Sequence, residues 1–327
     1  MKAIFHKSRQ LLGFFTEYAT DMWLYLRHNG YSPWESRALR REYKTVIETH
    51  TVEKGLSLAN PRPFFGEAKI KALLDDRQKD EPEMTFASQM LAGALNDYVI
   101  FNRSFAQAAE SASGGGASLL DRATEYVVSE EERGCVLTGG VRAVLDPPSS
   151  IDQHAVDFLE SRFACRVFDP TPMTAEEVEA VTSLAQRAPS QCNRQSSILH
   201  VFRDRASIEA LLALQGGARG FVDDVGTLFI VSSELTAWGG PQQRNQPYVD
   251  GALFAMMLML SLQAYGFASC PLNLAVGNGL EGRIKSAAGI PRRQRLIMMI
   301  AAGRPGAATV KAAKSPRRPI SEVLQIH

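Results

Sequence analysis

Ala188-Pro-Ser-Gln-Cys-Asn-Arg-Gln fills residues 188–195 and follows a stretch with a clear helical start. The proline fixes one backbone angle and removes a donor. Behind it Ser190, Asn193 and Gln195 gather hydroxyl and amide groups into one loop, suited to the carbonyls and ring nitrogens of a heterocycle. Upstream, Thr174-Ala-Glu-Glu has the spacing of a capping box. Val178, Val181, Leu184 and Ala185 then form the apolar stripe of its helix. Downstream, the pattern predicts a strand at Ile198–Phe202, a helix at Ser207–Leu214, and a strand at Leu228–Val231 buried on both faces. Asp250–Tyr265 is apolar nearly all round and ends at Gly266, so it is predicted to be a fully buried helix. A strand at Phe267–Leu272, a helix at Gly279–Ala288 and a strand at Leu296–Ala301 complete an α+β sandwich.

The 327 residues suffice for one large domain or two ordinary ones, and 45% hydrophobic with 22% charged residues is the composition of a globular chain. A net charge of +1 leaves no basic footprint, so no nucleic-acid partner is expected. The basic run Arg37–Arg41 reads as a solvated helix face, and Lys311–Arg318 is a second local cluster. Cys135, Cys165, Cys192 and Cys270 lie far apart, without zinc spacing or a disulfide framework, so no metal site is expected and reduced, buried thiols are. The N-terminus is broken by charge every few residues, unlike a signal peptide. The most apolar run, Ala252–Leu262, falls short of the ~20 residues that cross a bilayer. A cytoplasmic location without membrane association is the expectation.

Two stretches divide the chain. Ser111–Ala117 is small-residue and suited to a flexible connection, and Asp146–Asp152 carries a proline pair. They set off a mainly helical region, 1–148, from an α+β domain, 149–327. In the first region Leu11, Phe14, Phe15 and Tyr18 recur at helical spacing, as do Ile70, Leu73 and Leu74. His50, Glu53 and Lys54 share a helical face and form either an acid–base group or, more plainly, a solvated helix end with Gly55 as cap.

Further segments resist a purely structural explanation. In Ser161-Arg-Phe-Ala-Cys-Arg-Val-Phe-Asp, Arg162 and Arg166 stand four apart. On a helix that spacing aims both guanidiniums to one side, where they repel unless an anion such as phosphate lies between them. Ala268-Ser-Cys-Pro-Leu-Asn runs an apolar strand out into Pro271, Leu272 and Asn273, and Lys314-Ser-Pro-Arg-Arg-Pro is another anion-ready group. No GxGxxG or Walker loop appears, which disfavours a Rossmann or P-loop account. His154 and His200 lie near no GxSxG elbow, so a hydrolase triad is hard to assemble.

In order along the chain, Arg-x-x-x-Arg-x-Phe, APSxxNxQ, an apolar helix, a CPLN strand end and a basic Arg-x-Pro tail resemble the FMN-dependent nitroreductase family. The likeness covers about half the chain, from Phe158 to Leu324. It implies a nitroreductase-like α/β/α sandwich with a central mixed sheet, the Asp250–Tyr265 helix serving as the long buried dimer helix. It also implies a homodimer with FMN at the interface, and hydride passing from NAD(P)H through flavin N5 to a small organic acceptor. By the same resemblance Arg162, Arg166 and Arg317 would hold the phosphate. Pro189, Ser190, Asn193 and Gln195 would line the flavin, and Gln215 would reach its pyrimidine edge. Pro271, Leu272 and Asn273 would approach N5, with Asn273 as the residue at the reacting atom. Arg244, in Trp238–Pro247, belongs either to a lid or to a plain surface loop. Three departures stand out: Phe163 and Ala164 replace a polar residue and a serine, and Ser196-Ser197 replaces Pro-Trp. Together with the N-terminal helices they leave a second reading, a catalytically degenerate binding or accessory protein of a biosynthetic pathway.

Overall fold

Strand β2 (Thr227–Glu234) is buried along its whole length, and its alternation sorts the core into two layers. Leu228 and Ile230 face one side with Met299 and Ala301 of β4 (Gln294–Gly303). There they meet Ile208, Leu211 and Leu212 of α8 (Arg205–Gln215) and Ile284 of α10 (Asn278–Ala288). Phe229, Val231, Ile300 and Ala302 face the other side. They pack on Val181 and Ala185 of α7 (Ala175–Ala185) and on Phe254, Leu258 and Leu262 of α9 (Gln246–Ala264). Each such side chain contributes about 1.5–3 kcal/mol on burial, before the cost of ordering the chain. The computed structural model describes residues 2–77, 84–109, 115–143, 150–307, 312–313 and 315–327.

With β1 (Ser197–Phe202) and β3 (Ala268–Asn273) the sheet runs β1-β2-β4-β3. This is the nitroreductase-like sandwich expected, with one correction. The sheet was expected to be mixed, yet every pair among the described strands is antiparallel. Each connection brings the chain back to start the next strand from the end where the neighbouring strand finishes. The Thr174–Glu177 capping box forms in both directions.

Helix α9 begins at Gln246, four residues before the expected start, with Pro247 in its first turn. It is not fully buried. Val249, Leu253 and Met256 remain 49%, 44% and 41% exposed along one face, because the sheet covers only the opposite face. The stretch Pro241–Ala264 passes a length-and-apolarity test for crossing a bilayer that the shorter run Ala252–Leu262 does not, with half its most apolar window buried in this fold.

The N-terminal region is helical. It comprises α1 (Lys2–His28), α2 (Arg37–Leu56), α3 (Glu67–Arg77), α4 (Phe86–Ala109) and α5 (Gly115–Glu132). Ile70, Leu73 and Leu74 join a core with Val52, Leu91, Leu95 and Leu119. Leu11, Phe14, Phe15 and Tyr18 are helical as expected but exposed. Gly115–Ala117 open α5 rather than connect elements, since a first turn makes no demand on its own N–H groups. Residues 111–114 and 146–149 lie outside the described residues.

Gly55 is not a helix cap; Ser57 is. A Cβ at 55 would stand 2.0 Å from the Phe65 ring, so the glycine makes room for that side chain. Glu53 is not solvated either. It pairs with His50 Nδ1 at 3.0 Å and accepts the Gly140 N–H at 3.1 Å.

The chain between α5 and residue 143 lies against α4 by backbone contact. A Cβ on Gly139 would stand 1.9 Å from the Met90 carbonyl oxygen, and one on Gly93 2.5 Å from that of Gly139. Gly139→Ala is therefore expected to destabilise the protein by about 1–3 kcal/mol through overpacking. A denaturant midpoint equal to wild type would contradict that packing.

Candidate functional site

The expected site residues fall into two groups. The first lies beside β3. Residues 162–167 are not helical, since α6 (Gln153–Glu160) ends before them. The Cys165 N–H donates to the Ser269 carbonyl at 2.9 Å, fixing this segment against β3. Neither arginine has an acidic partner among the described residues, and Arg162 Nη1 is buried without a hydrogen bond. Burial pushes the Cys270 thiol up in pKa, with nearby Arg166 acting in the opposite direction.

Pro271, Leu272 and Asn273 form the far end of β3, paired with Ile300, Met299 and Met298 of β4. Gln215 Nε2 donates to the Asn273 carbonyl at 3.0 Å, and Gln215 Oε1 accepts the Gly217 N–H. Gln215 and Asn273 therefore meet, and the Gln215 amide is occupied by the protein itself. Arg317 sits on an exposed tail and donates to Ser315 O in its own turn, so nothing links it to the arginine pair. Lys314 lies outside the described residues.

The second group is the 188–195 loop, anchored by α9. Asp250 is buried, and its Oδ2 accepts both Ser190 Oγ at 2.7 Å and the Gln191 N–H at 2.9 Å. Ser190 Oγ in turn accepts the Gln195 N–H, and Gln195 Nε2 donates to Asn193 Oδ1. Cys192, Asn193 and Gln195 hold φ of 52°, 54° and 50°, a left-handed backbone costing about 1–3 kcal/mol per strained residue. Asp250 offsets that cost by fixing Ser190 and Gln191 at the start of the turn, and Ser190 Oγ in turn holds Gln195. Asp250→Ala is expected to destabilise the chain by about 1–3 kcal/mol, since the Ser190 hydroxyl and the Gln191 amide lose their acceptor. Faster proteolytic cleavage within 188–195 would accompany it; unchanged stability and cleavage would refute the anchoring role.

The loop contains a residue that sequence reasoning passed over. Arg194 is 6% exposed, lies 4.9 Å over the Trp238 ring, and has Nε and Nη1 without partners. A charged residue between two expected ligands was the available signal. Asp250 was likewise visible only as the start of a helix.

One chain does not bring the two groups together. The loop precedes β1, whereas Asn273 ends β3, and these are opposite edges of the sheet. Three strand spacings put them roughly 14 Å apart. Along α9, Asp250 holds the loop while Gln263 Nε2 donates to Ser161 Oγ beside Arg162. Thirteen helical residues separate those anchors, about 20 Å.

Against known proteins, residues 159–218 match the Nitroreductase family model. The C-terminal half is nitroreductase-like. YodC of Bacillus subtilis strain 168, named provisionally as an NAD(P)H nitroreductase, is 25% identical over 203 residues, covering 52% of this chain and 97% of that protein. A nitroreductase-like protein from Streptococcus mutans is 19% identical at a TM-score of 0.48, over 54% of this chain and all of that one. An FMN-dependent nitroreductase from Clostridium difficile is 16% identical at a TM-score of 0.42, over 49% and 92%. Arg162, Arg166, the loop and Gln215 fall within the matched residues, while Asn273 and Arg317 lie beyond them. Between the N-terminal region and the C-terminal half, α1 and the start of α9 enclose a cavity of about 860 Å³ lined by Trp23, Tyr25, Trp34 and Tyr248. Arg244 borders that cavity and holds none of the expected flavin residues beside it.

Proposed function

We propose that this protein is a homodimeric FMN-dependent oxidoreductase in which each flavin site draws one half from each chain. The observation that carries this reading is the buried, unpartnered Nη1 of Arg162, with a second arginine four residues on and no acidic partner for either among the described residues. Two guanidiniums so placed accept a phosphate, and Arg162 gains the partner it lacks. The relative named for NAD(P)H favours that donor. FMN held there would supply two-electron hydride chemistry at N5, which no protein side chain provides.

The chain's own residues would do the rest. Arg162 and Arg166 would bind the phosphate, with Arg317 joining them once its tail is drawn in. Gln215 and the backbone at Leu272 and Asn273 would orient the ring at the exit of β3. From the second chain, Pro189, Ser190, Asn193 and Gln195 would wall one face and exclude water. The exposed stripe Val249, Leu253 and Met256 on α9 favours the dimer, because exposed apolar patches mark association surfaces.

The test is titration of purified protein with FMN, followed by the visible absorbance of bound flavin, and then by NADH and NADPH oxidation with a small organic acceptor. Saturable binding and turnover are expected. Protein that binds FMN and leaves it oxidised under either donor would favour the accessory reading. That reading draws on Phe163 and Ala164 and on the loop donors already spent on Asp250 and Asn193. Protein that binds no FMN would overturn the flavin reading.

A further inference from the structure

A cavity of about 500 Å³ opens between the N-terminal helices and the 188–195 loop, within the range of small-molecule sites. Its apolar wall is Tyr43 and Val46 of α2, Phe86 of α4, and Phe254 of α9. Its polar wall includes Arg194. That guanidinium is more than nine-tenths buried, stacks on Trp238, and pairs with no acid among the described residues. Two carboxylates also line the cavity: Glu42 Oε1 accepts the Ala87 N–H, and Asp250, whose charge acts on Arg194, already has its oxygens occupied by Ser190, Gln191 and Gln246. Burial lowers the Arg194 pKa, but arginine keeps its charge at neutral pH. A buried charge without a partner is costly, and an anion in the adjoining cavity would compensate it.

We propose that this cavity binds the oxyanion of a small organic acid or phosphate ester against Arg194, with the ligand's apolar body against Tyr43, Phe86 and Phe254. The aromatic wall excludes a bare inorganic ion as the best fit, because it would leave that surface uncovered. The site needs one chain and no flavin. It shares Pro189, Ser190 and Gln195 with the proposed flavin loop, but its anion contact is Arg194, which that reading does not use.

Calorimetric titration of flavin-free, full-length protein with benzoate, phenyl phosphate and neutral benzamide tests the proposal. At least one anion is expected to bind about tenfold or more tightly than benzamide, and to lose that advantage in R194Q. Preference for benzoate assigns a carboxylate ligand, and preference for phenyl phosphate a phosphate ester. The thermal midpoint of the wild-type protein should also rise with that anion and not with benzamide, a readout that does not depend on the variant folding. Three results would overturn the proposal. They are no binding of either anion, equal anion affinity in wild type and R194Q, or binding that survives R194Q and disappears in R166A. The last would move the anion to the arginine pair beside β3.

Discussion

Replacing Arg162 by alanine is expected to lower FMN affinity about tenfold to hundredfold and to leave riboflavin affinity unchanged. The magnitude follows from losing a hydrogen bond to a charged group, about 1.5–3 kcal/mol, converted at 1.4 kcal/mol per factor of ten. Arg162 is the sharper of the two arginines for this purpose, because its Nη1 is buried with no protein partner to lose. Removing the side chain therefore breaks no internal hydrogen bond at that atom, and the fold should tolerate the change. Riboflavin lacks the phosphate and so reports any general damage. Equal weakening of both ligands would show that Arg162 is structural.

Mixing two inactive variants should restore flavin sites. One carries Arg162→Ala with Arg166→Ala and keeps its loop; the other carries Asn193→Ala with Gln195→Ala and keeps its arginines. In a two-fold dimer whose sites take one half from each chain, a mixed dimer holds one doubly altered site and one intact site. Random exchange of equal amounts makes half the dimers mixed, so about a quarter of all sites should regain wild-type FMN affinity. Were all the flavin residues supplied by a single chain, no site would recover at any mixing ratio. The expectation rests on the separation of the loop from Asn273 across the sheet and from Ser161 along α9.

How far the sequence could be read differed between elements for identifiable reasons. The strands Leu228–Val231 and Leu296–Ala301 and the capped helix at Thr174 were legible because periodicity and capping are local, and the structure extends them by only a few residues at their ends. The all-apolar composition of Asp250–Tyr265 identified a helix with two apolar faces. It did not reveal that the sheet takes only one of them. The arginine pair stood out from charge spacing alone, although the segment that carries it proved not to be helical, because α6 ends before it.

By itself, the sequence determined the α+β architecture of the second half, the helical character of the first, and which residues have the chemistry to hold an anion and a heterocycle. Those properties depend on periodicity, capping and side-chain type, each of which acts over a few residues. Only the tertiary structure decided how the candidates are distributed. It put the loop and Asn273 on opposite edges of one sheet, tied the loop to Asp250, and buried Arg194 over Trp238 against the N-terminal helices. Contacts between residues 44 or more positions apart, such as Arg194 with Trp238 and Ser190 with Asp250, arise from how layers stack, and no local pattern along the chain encodes that stacking.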